Sequence, residues 1–146
     1  PPMAVIPMLI LWFGIGESPK IILIILATFF PVFLNTLQGV RGCDPGLIEV
    51  ARVFGYSRWE RCRHVILPSA LPAILTGLQL GLGYSWRSLV AAELVAASSG
   101  LGYMILDAEQ LSRSDVVLMG ILVIGALGAA LDYLFVIISK AAGRVR

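Results

Sequence analysis

Residues 41–68 read RGCDPGLIEVARVFGYSRWERCRHVILP, a polar stretch between two long apolar runs. Its punctuation is helical. Asp44-Pro45 supplies an N-cap acceptor followed by a proline at the first helical position, where a missing N–H is harmless. Leu47, Val50, Ala51 and Phe54 then fall on one face, and Gly55 follows as a glycine able to close the helix in the left-handed conformation. Ser57-Arg58-Trp59-Glu60 reads as a capping box opening a second helix, expected to end near Pro68. Two capped helices broken at a glycine make a folded loop, not a disordered one.

The flanking runs suit a bilayer. Residues 20–40 (KIILIILATFFPVFLNTLQGV) are long enough to cross one, at about 20 residues per crossing. Pro31 lies near the middle with Asn35 one turn later, so a kink is expected where proline frees a carbonyl. Residues 69–97 form the next span, with Ser69 as its cap and Pro72 in its first turn. Ala73, Gly77, Gly81, Ser85, Ser88 and Ala92 recur along it every three or four residues, a stripe that predicts close helix packing. Residues 98–115 read as a Gly/Ser turn and a short amphipathic piece. Residues 116–139 are the last span, rich in Gly120, Gly125, Gly128, Ala129 and Ala130.

At the other end, residues 3–15 are apolar but short. Either that helix starts before residue 1 or Pro7 breaks it, and Gly14, Gly16, Ser18 and Pro19 then make a turn. The chain opens Pro1-Pro2-Met3 inside an apolar run with no charged leader. The expectation is a piece of a longer protein, with at least one more span upstream. The fold class is therefore an all-α membrane protein of about four membrane helices plus a cytoplasmic loop.

Composition agrees. Of 146 residues 58% are hydrophobic and 14% charged, against about 25% charged in soluble domains. Mean hydropathy is +0.90. A net charge of +2 is too small to argue for nucleic acid. Cys43 and Cys62, with a single distant histidine, form no metal pattern and are read as reduced thiols facing the cytoplasm. Of the 11 Lys/Arg, eight lie in the loop (Arg41, Arg52, Arg58, Arg61, Arg63) and the tail (Lys140, Arg144, Arg146). The positive-inside rule puts both in the cytoplasm, and parity agrees, since two spans separate them.

Glu49-Val50-Ala51, Gly55 and Val65-Ile66-Leu67-Pro68 resemble the EAA loop of binding-protein-dependent ABC permeases. That pattern runs Glu-Ala-Ala, three residues, Gly, nine residues, Ile-x-Leu-Pro. The spacing matches throughout, with Val50 and Val65 as the two departures. Further likeness, to the nitrate/sulfonate/taurine branch, lies in residues 1–41 and 84–105: Leu-Trp-Phe-Gly-Ile-Gly, Phe-Phe-Pro before Asn35-Thr36, Trp86-Arg87 before Ala92-Glu93, and Gly100-Leu101-Gly102.

The resemblance implies a MetI-like type I ABC importer transmembrane domain over residues 1–146, N-terminally truncated by about two spans, with 41–68 as its coupling loop. It implies that Glu49, Ala51, Gly55, Tyr56, Ser57, Arg58, Trp59, Glu60, Arg61, Leu67 and Pro68 carry the ATPase coupling, with Trp59 as an anchor and the arginines facing acidic partner groups. The implied partners are ABC ATPase subunits, a second permease copy, a periplasmic or lipid-anchored solute-binding protein and the inner-membrane bilayer of a bacterium. ATP would be held by the partner, so no cofactor and no catalytic or metal-ligating residue is assigned here.

Asn35, Trp86, Arg87 and Glu93 are the candidates for the translocation path. Charges within a span are costly and face a cavity or a partner. A guanidinium at Arg87 suits the oxygens of a small anion such as a sulfonate or nitrate. The competing reading is an Arg–Glu or Arg–backbone lock that positions the helix. Asn35 and Gln79 also read as interhelical hydrogen-bond partners, Asp132 as a packing residue, Trp12, Tyr84, Trp86 and Tyr103 as interface aromatics, and His64 as a loop-surface residue.

The chain has no phosphate-binding Gly-x-x-x-x-Gly-Lys, no His-Glu-x-x-His and no Gly-x-Ser-x-Gly. The expected solute is a small anion, with bicarbonate or a pyrimidine precursor as alternatives. A membrane-embedded enzyme using Arg87, Glu93 and Asp132 is disfavoured because Arg87 and Glu93 fall on different helix faces. A secondary transporter would leave the folded loop without a purpose.

Overall fold

The computed structural model describes residues 2–143, and the side chains of 4–95 and 97–140. Pro1, Arg144 and Arg146 lie outside the described residues. The chain runs as a 3₁₀ turn (Pro2–Val5), α1 (Ile6–Phe13), α2 (Glu17–Arg41), α3 (Pro45–Val53), α4 (Arg58–Arg61), a π turn (Cys62–Ile66), α5 (Leu67–Ala96), α6 (Leu101–Gln110) and α7 (Ser114–Gly143). Among the described residues there is no strand.

Three helices are long and apolar enough to cross a membrane: Glu17–Arg41, Arg58–Val95 and Ser114–Lys140. The first apolar run is shorter than a crossing. Its 3₁₀ turn and eight-residue helix span roughly 20 Å. Pro7 does not break that helix but sits in its first turn, where proline is tolerated. The following turn is also tighter than expected. Gly14 takes φ +74 and closes α1 through its N–H to Ile10, while Ser18 and Pro19 already belong to the first turn of α2.

The α2–α5 pair is the spine. A Cβ built on Gly77 would sit 2.8 Å from Asn35 Cβ and 3.2 Å from the Pro31 carbonyl oxygen, and one on Gly39 would sit 2.7 Å from Ala73 Cβ. The predicted small-residue stripe is thus the face on which α2 rests, and Ala70, Ser88 and Ala92 are buried along it. Such close approach is how helices associate where lipid offers no hydrophobic penalty. Ile6, Leu9, Leu23 and Ala92 form a small core at the α1 end. Helix α2 stays continuous through Pro31.

The second loop helix does not stop at Pro68, and Ser69 caps nothing. Helix α4 passes through the π turn directly into α5, so Arg58–Val95 is one 38-residue rod of about 57 Å, well beyond the roughly 30 Å of a hydrocarbon core. A prolyl ring clashes with the carbonyl four residues back in a regular helix. Widening the turn, with the Leu67 N–H bonded to the Cys62 carbonyl, lets the helix run on past that proline.

Helix α7 packs on α6 at Gly120 and on α5 at Gly128 and Asp132. Gly120 lies under Ile105 and Met104 of α6, and a Cβ on Gly128 would sit 2.8 Å from Trp86 Nε1. Most of the other described apolar side chains of α7 face outward.

Candidate functional site

The 41–68 loop folds as a rigid projection. Asp44 Oδ1 accepts the Gly46 N–H at 2.8 Å and opens α3. At its other end the Gly55 N–H donates to Arg52 O and the Tyr56 N–H to Ala51 O, both at 3.0 Å, with Gly55 at φ +77. This is a Schellman closure, which pins both strands of the turn. Ser57 and Glu60 then cap α4 reciprocally: Ser57 N–H donates to Glu60 Oε2 at 2.7 Å, and Glu60 N–H to Ser57 Oγ at 3.3 Å.

These backbone N–H and hydroxyl donors, with the nearby His64 adding a smaller effect, hold the exposed Glu60 carboxyl below its ordinary value of 4.5. A carboxyl whose folded value is depressed stabilises the fold above its ordinary value and loses that stabilisation as pH falls through the lowered one. The α4 cap should therefore persist at neutral pH and open only on strong acidification. An NMR titration of Glu60 with a midpoint at or above the ordinary value would contradict this.

The projection offers a mixed surface. Val53, Phe54 and Trp59 are 87%, 76% and 74% exposed. Leu47, Val50, Ala51, Phe54, Tyr56, His64 and Pro68 line a shallow groove between α3 and the π turn. His64 packs edge-on against Tyr56, with ring centroids 6.1 Å apart, and its Nδ1 lies 3.1 Å from the Glu60 carbonyl oxygen. Among the described residues the only ion pairs are Lys20–Glu17 and Arg113–Asp115, so Arg41, Arg52, Arg58, Arg61 and Arg63 have no carboxylate partner among them. Arg61 Nε is buried without a hydrogen-bond partner among these residues.

A second candidate lies inside the membrane helices. Gln79, Tyr84, Trp86 and Arg87 of α5 and Gly128 and Asp132 of α7 line a groove of about 540 Å³. Arg87 sits over the Tyr84 ring, 6.0 Å from its centroid. Gln79 Nε2 donates to Asp132 Oδ1 at 3.0 Å, across the two helices. The groove thus carries a cationic end and an anionic, amide-bound one.

The four path candidates separate. Trp86 and Arg87 line the groove. Asn35 and Glu93 do not. Asn35 was expected to bond across helices, yet its Nδ2 donates to Pro31 O of its own helix at 2.8 Å, while its Cβ packs under Gly77. Glu93 was weighed against Arg87 as a lock, but its partner is the Gly102 N–H at 2.8 Å. Sequence reasoning missed the grouping of Gln79, Tyr84 and Asp132 with Arg87. The available signal was that Gln79 and Arg87 lie about two turns apart on one helix.

The sequence profile for the "Binding-protein-dependent transport system inner membrane component" matches residues 1–144. A Bacillus subtilis (strain 168) protein, provisionally named an aliphatic sulfonates transport permease, is 50% identical over 132 residues, covering 90% of this chain and 48% of its own length. A taurine transport system permease of Escherichia coli (strain K12) is 49% identical, covering 90% and 48%. A bicarbonate transport system permease of Synechococcus elongatus is 35% identical, again covering 90% and 48%. The chain spans about half the length of the curated relatives it matches.

Proposed function

Because the chain belongs to the family of binding-protein-dependent transport system inner membrane components, we propose that it is the membrane-spanning part of an ABC importer driven by a separate ATPase. The observation that carries this is the continuity of α4 with α5. A cytoplasmic partner that grips α4 holds one end of a 38-residue rod whose other end is in the membrane. Exposed Val53, Phe54 and Trp59, beside arginines with no carboxylate partner among the described residues, are the surface expected of a docking helix. Movement of the partner on binding ATP then tilts α5 as a rigid body.

In this reading the 41–68 projection and the C-terminus face the cytoplasm, two permease copies and two ATPases make the working unit, and an extracytoplasmic binding protein delivers solute. ATP is bound and split in the partner, and this chain is no enzyme. The solute is a small anion of the sulfonate, taurine or nitrate type; the relatives named for sulfonates and taurine support that class, and the one named for bicarbonate supports the alternative. Arg87 is the group in the α5–α7 groove with the charge to attract it.

The test is purification of the full-length protein from its own host followed by reconstitution. An ATPase subunit should accompany it, and uptake should require ATP. Uptake with no nucleotide-hydrolysing companion would end the proposal. Within it, Arg87→Gln should lower uptake of the anion by about tenfold with normal assembly, the loss of one charge-assisted contact. Unchanged uptake would remove Arg87 from the path.

A further inference from the structure

Glu93 belongs neither to the projection nor to the groove, yet the corner between α5 and α6 is built around it. Its carboxylate accepts the Gly102 N–H from a partly buried position. Gly100 has φ +121, and a Cβ there would sit 2.5 Å from the Glu93 carboxyl carbon. A Cβ on Gly102 would sit 2.7 Å from Glu93 Cβ and 2.9 Å from the Val90 carbonyl oxygen. Gly102 is the second residue of α6, so the carboxylate meets one of that helix's unpaired donors at its positive end. Among the described residues this is the one hydrogen bond tying α6 to α5. On its other side α6 lays Met104 and Ile105 over Gly120 of α7.

We propose that Glu93 is a positioning residue for transport: it clamps α6 to the far end of the α4–α5 rod, so that motion imposed at α4 reaches α7. This rests on the importer reading above. A helix transmits rotation along its length, but the non-helical segment 97–100 is a joint that would absorb it. The carboxylate bridges that joint, and the two glycines leave it the space to do so. The role needs a hydrogen-bond acceptor at this position. It does not need a charge facing solute.

The clamp and a solute-binding role give different results in proteoliposomes holding the full-length permease, its ATPase and its binding protein. Glu93→Ala should cut uptake about tenfold while ATP hydrolysis stays within about twofold, the pattern of an uncoupled machine. Glu93→Gln, whose carbonyl accepts the same N–H, should restore uptake to within about threefold of the parent. Gly102→Ala, whose Cβ would press on Glu93 Cβ and the Val90 carbonyl oxygen and push α6 off α5, should copy Glu93→Ala. Parental uptake by Glu93→Ala overturns the clamp, and so does Glu93→Gln as inactive as Glu93→Ala. Should Glu93→Ala fail to assemble, Glu93→Gln decides alone. A parent that takes up solute without ATP overturns the importer reading and the clamp together, whereas ATP-driven parental uptake with an indifferent Glu93→Ala sinks the clamp only.

Discussion

Gly55→Val will strip the full-length permease of its ATPase, while Gly55→Asn will keep it. A Cβ at Gly55 meets nothing within 4 Å, so crowding is not the cause. The cost is conformational. At φ +77 an L-residue loses about 1–2 kcal/mol, more when β-branched, and asparagine tolerates the region best. The Schellman bonds from Gly55 and Tyr56 to Arg52 and Ala51 would go with the turn. Helix α3 has nine residues and is too short to persist without its caps. The projection would lose the fixed angle between α3 and α4, and ATPase retained on affinity purification should fall about tenfold or more, since a factor of ten corresponds to only about 1.4 kcal/mol. Full retention by Gly55→Val would mean that the angle does not matter to docking.

Gly77→Leu should prevent the permease from folding into a stable membrane protein. Here the environment is the opposite of Gly55's. The first added carbon would already lie 2.8 Å from Asn35 Cβ, 3.2 Å from Pro31 O and 3.3 Å from Val32 Cα. Two of those neighbours are backbone and cannot step aside. Overpacking a tight contact costs about 1–3 kcal/mol, and prying α2 from α5 over several turns costs more, because their contact is the spine of the fold. Gly83 and Gly125 have nothing within 4 Å and provide the control. Gly83→Ala and Gly125→Ala should leave detergent-solubilised protein monodisperse with an unchanged melting temperature, whereas Gly77→Leu should aggregate on size exclusion. Normal melting of Gly77→Leu would show that α2 and α5 are not held this closely.

These two glycines show what the order of residues was able to reveal. Gly55 could be named from its neighbours alone. Its role follows from a helix pattern that ends at Phe54 and a capping box that begins at Ser57, all within a few positions. The same locality made Asp44, Ser57 and Glu60 recognisable as caps, separated the apolar runs from the polar loop, and marked the Gly77–Gly81 stripe as a packing face. Caps, turns and faces depend on residues one to four apart, and the chain's linear order contains that information.

Partners that lie far apart along the chain are another matter. Asn35 seemed free to bond across helices, but its Cβ packs under Gly77 and its amide donates to Pro31 of its own helix. Glu93 could have faced Arg87, solute or lipid until α6 folded back and offered the Gly102 N–H. Gln79 and Asp132 are 53 positions apart, and nothing along the chain announces that they meet. Proline at 68 signals a stop in any local reading, and only the widened π turn lets α4 run into α5. The packing of α5 against α2, α6 and α7 decided the partners of Asn35, Glu93 and Gln79, because it sets which donor and acceptor from distant parts of the chain can meet.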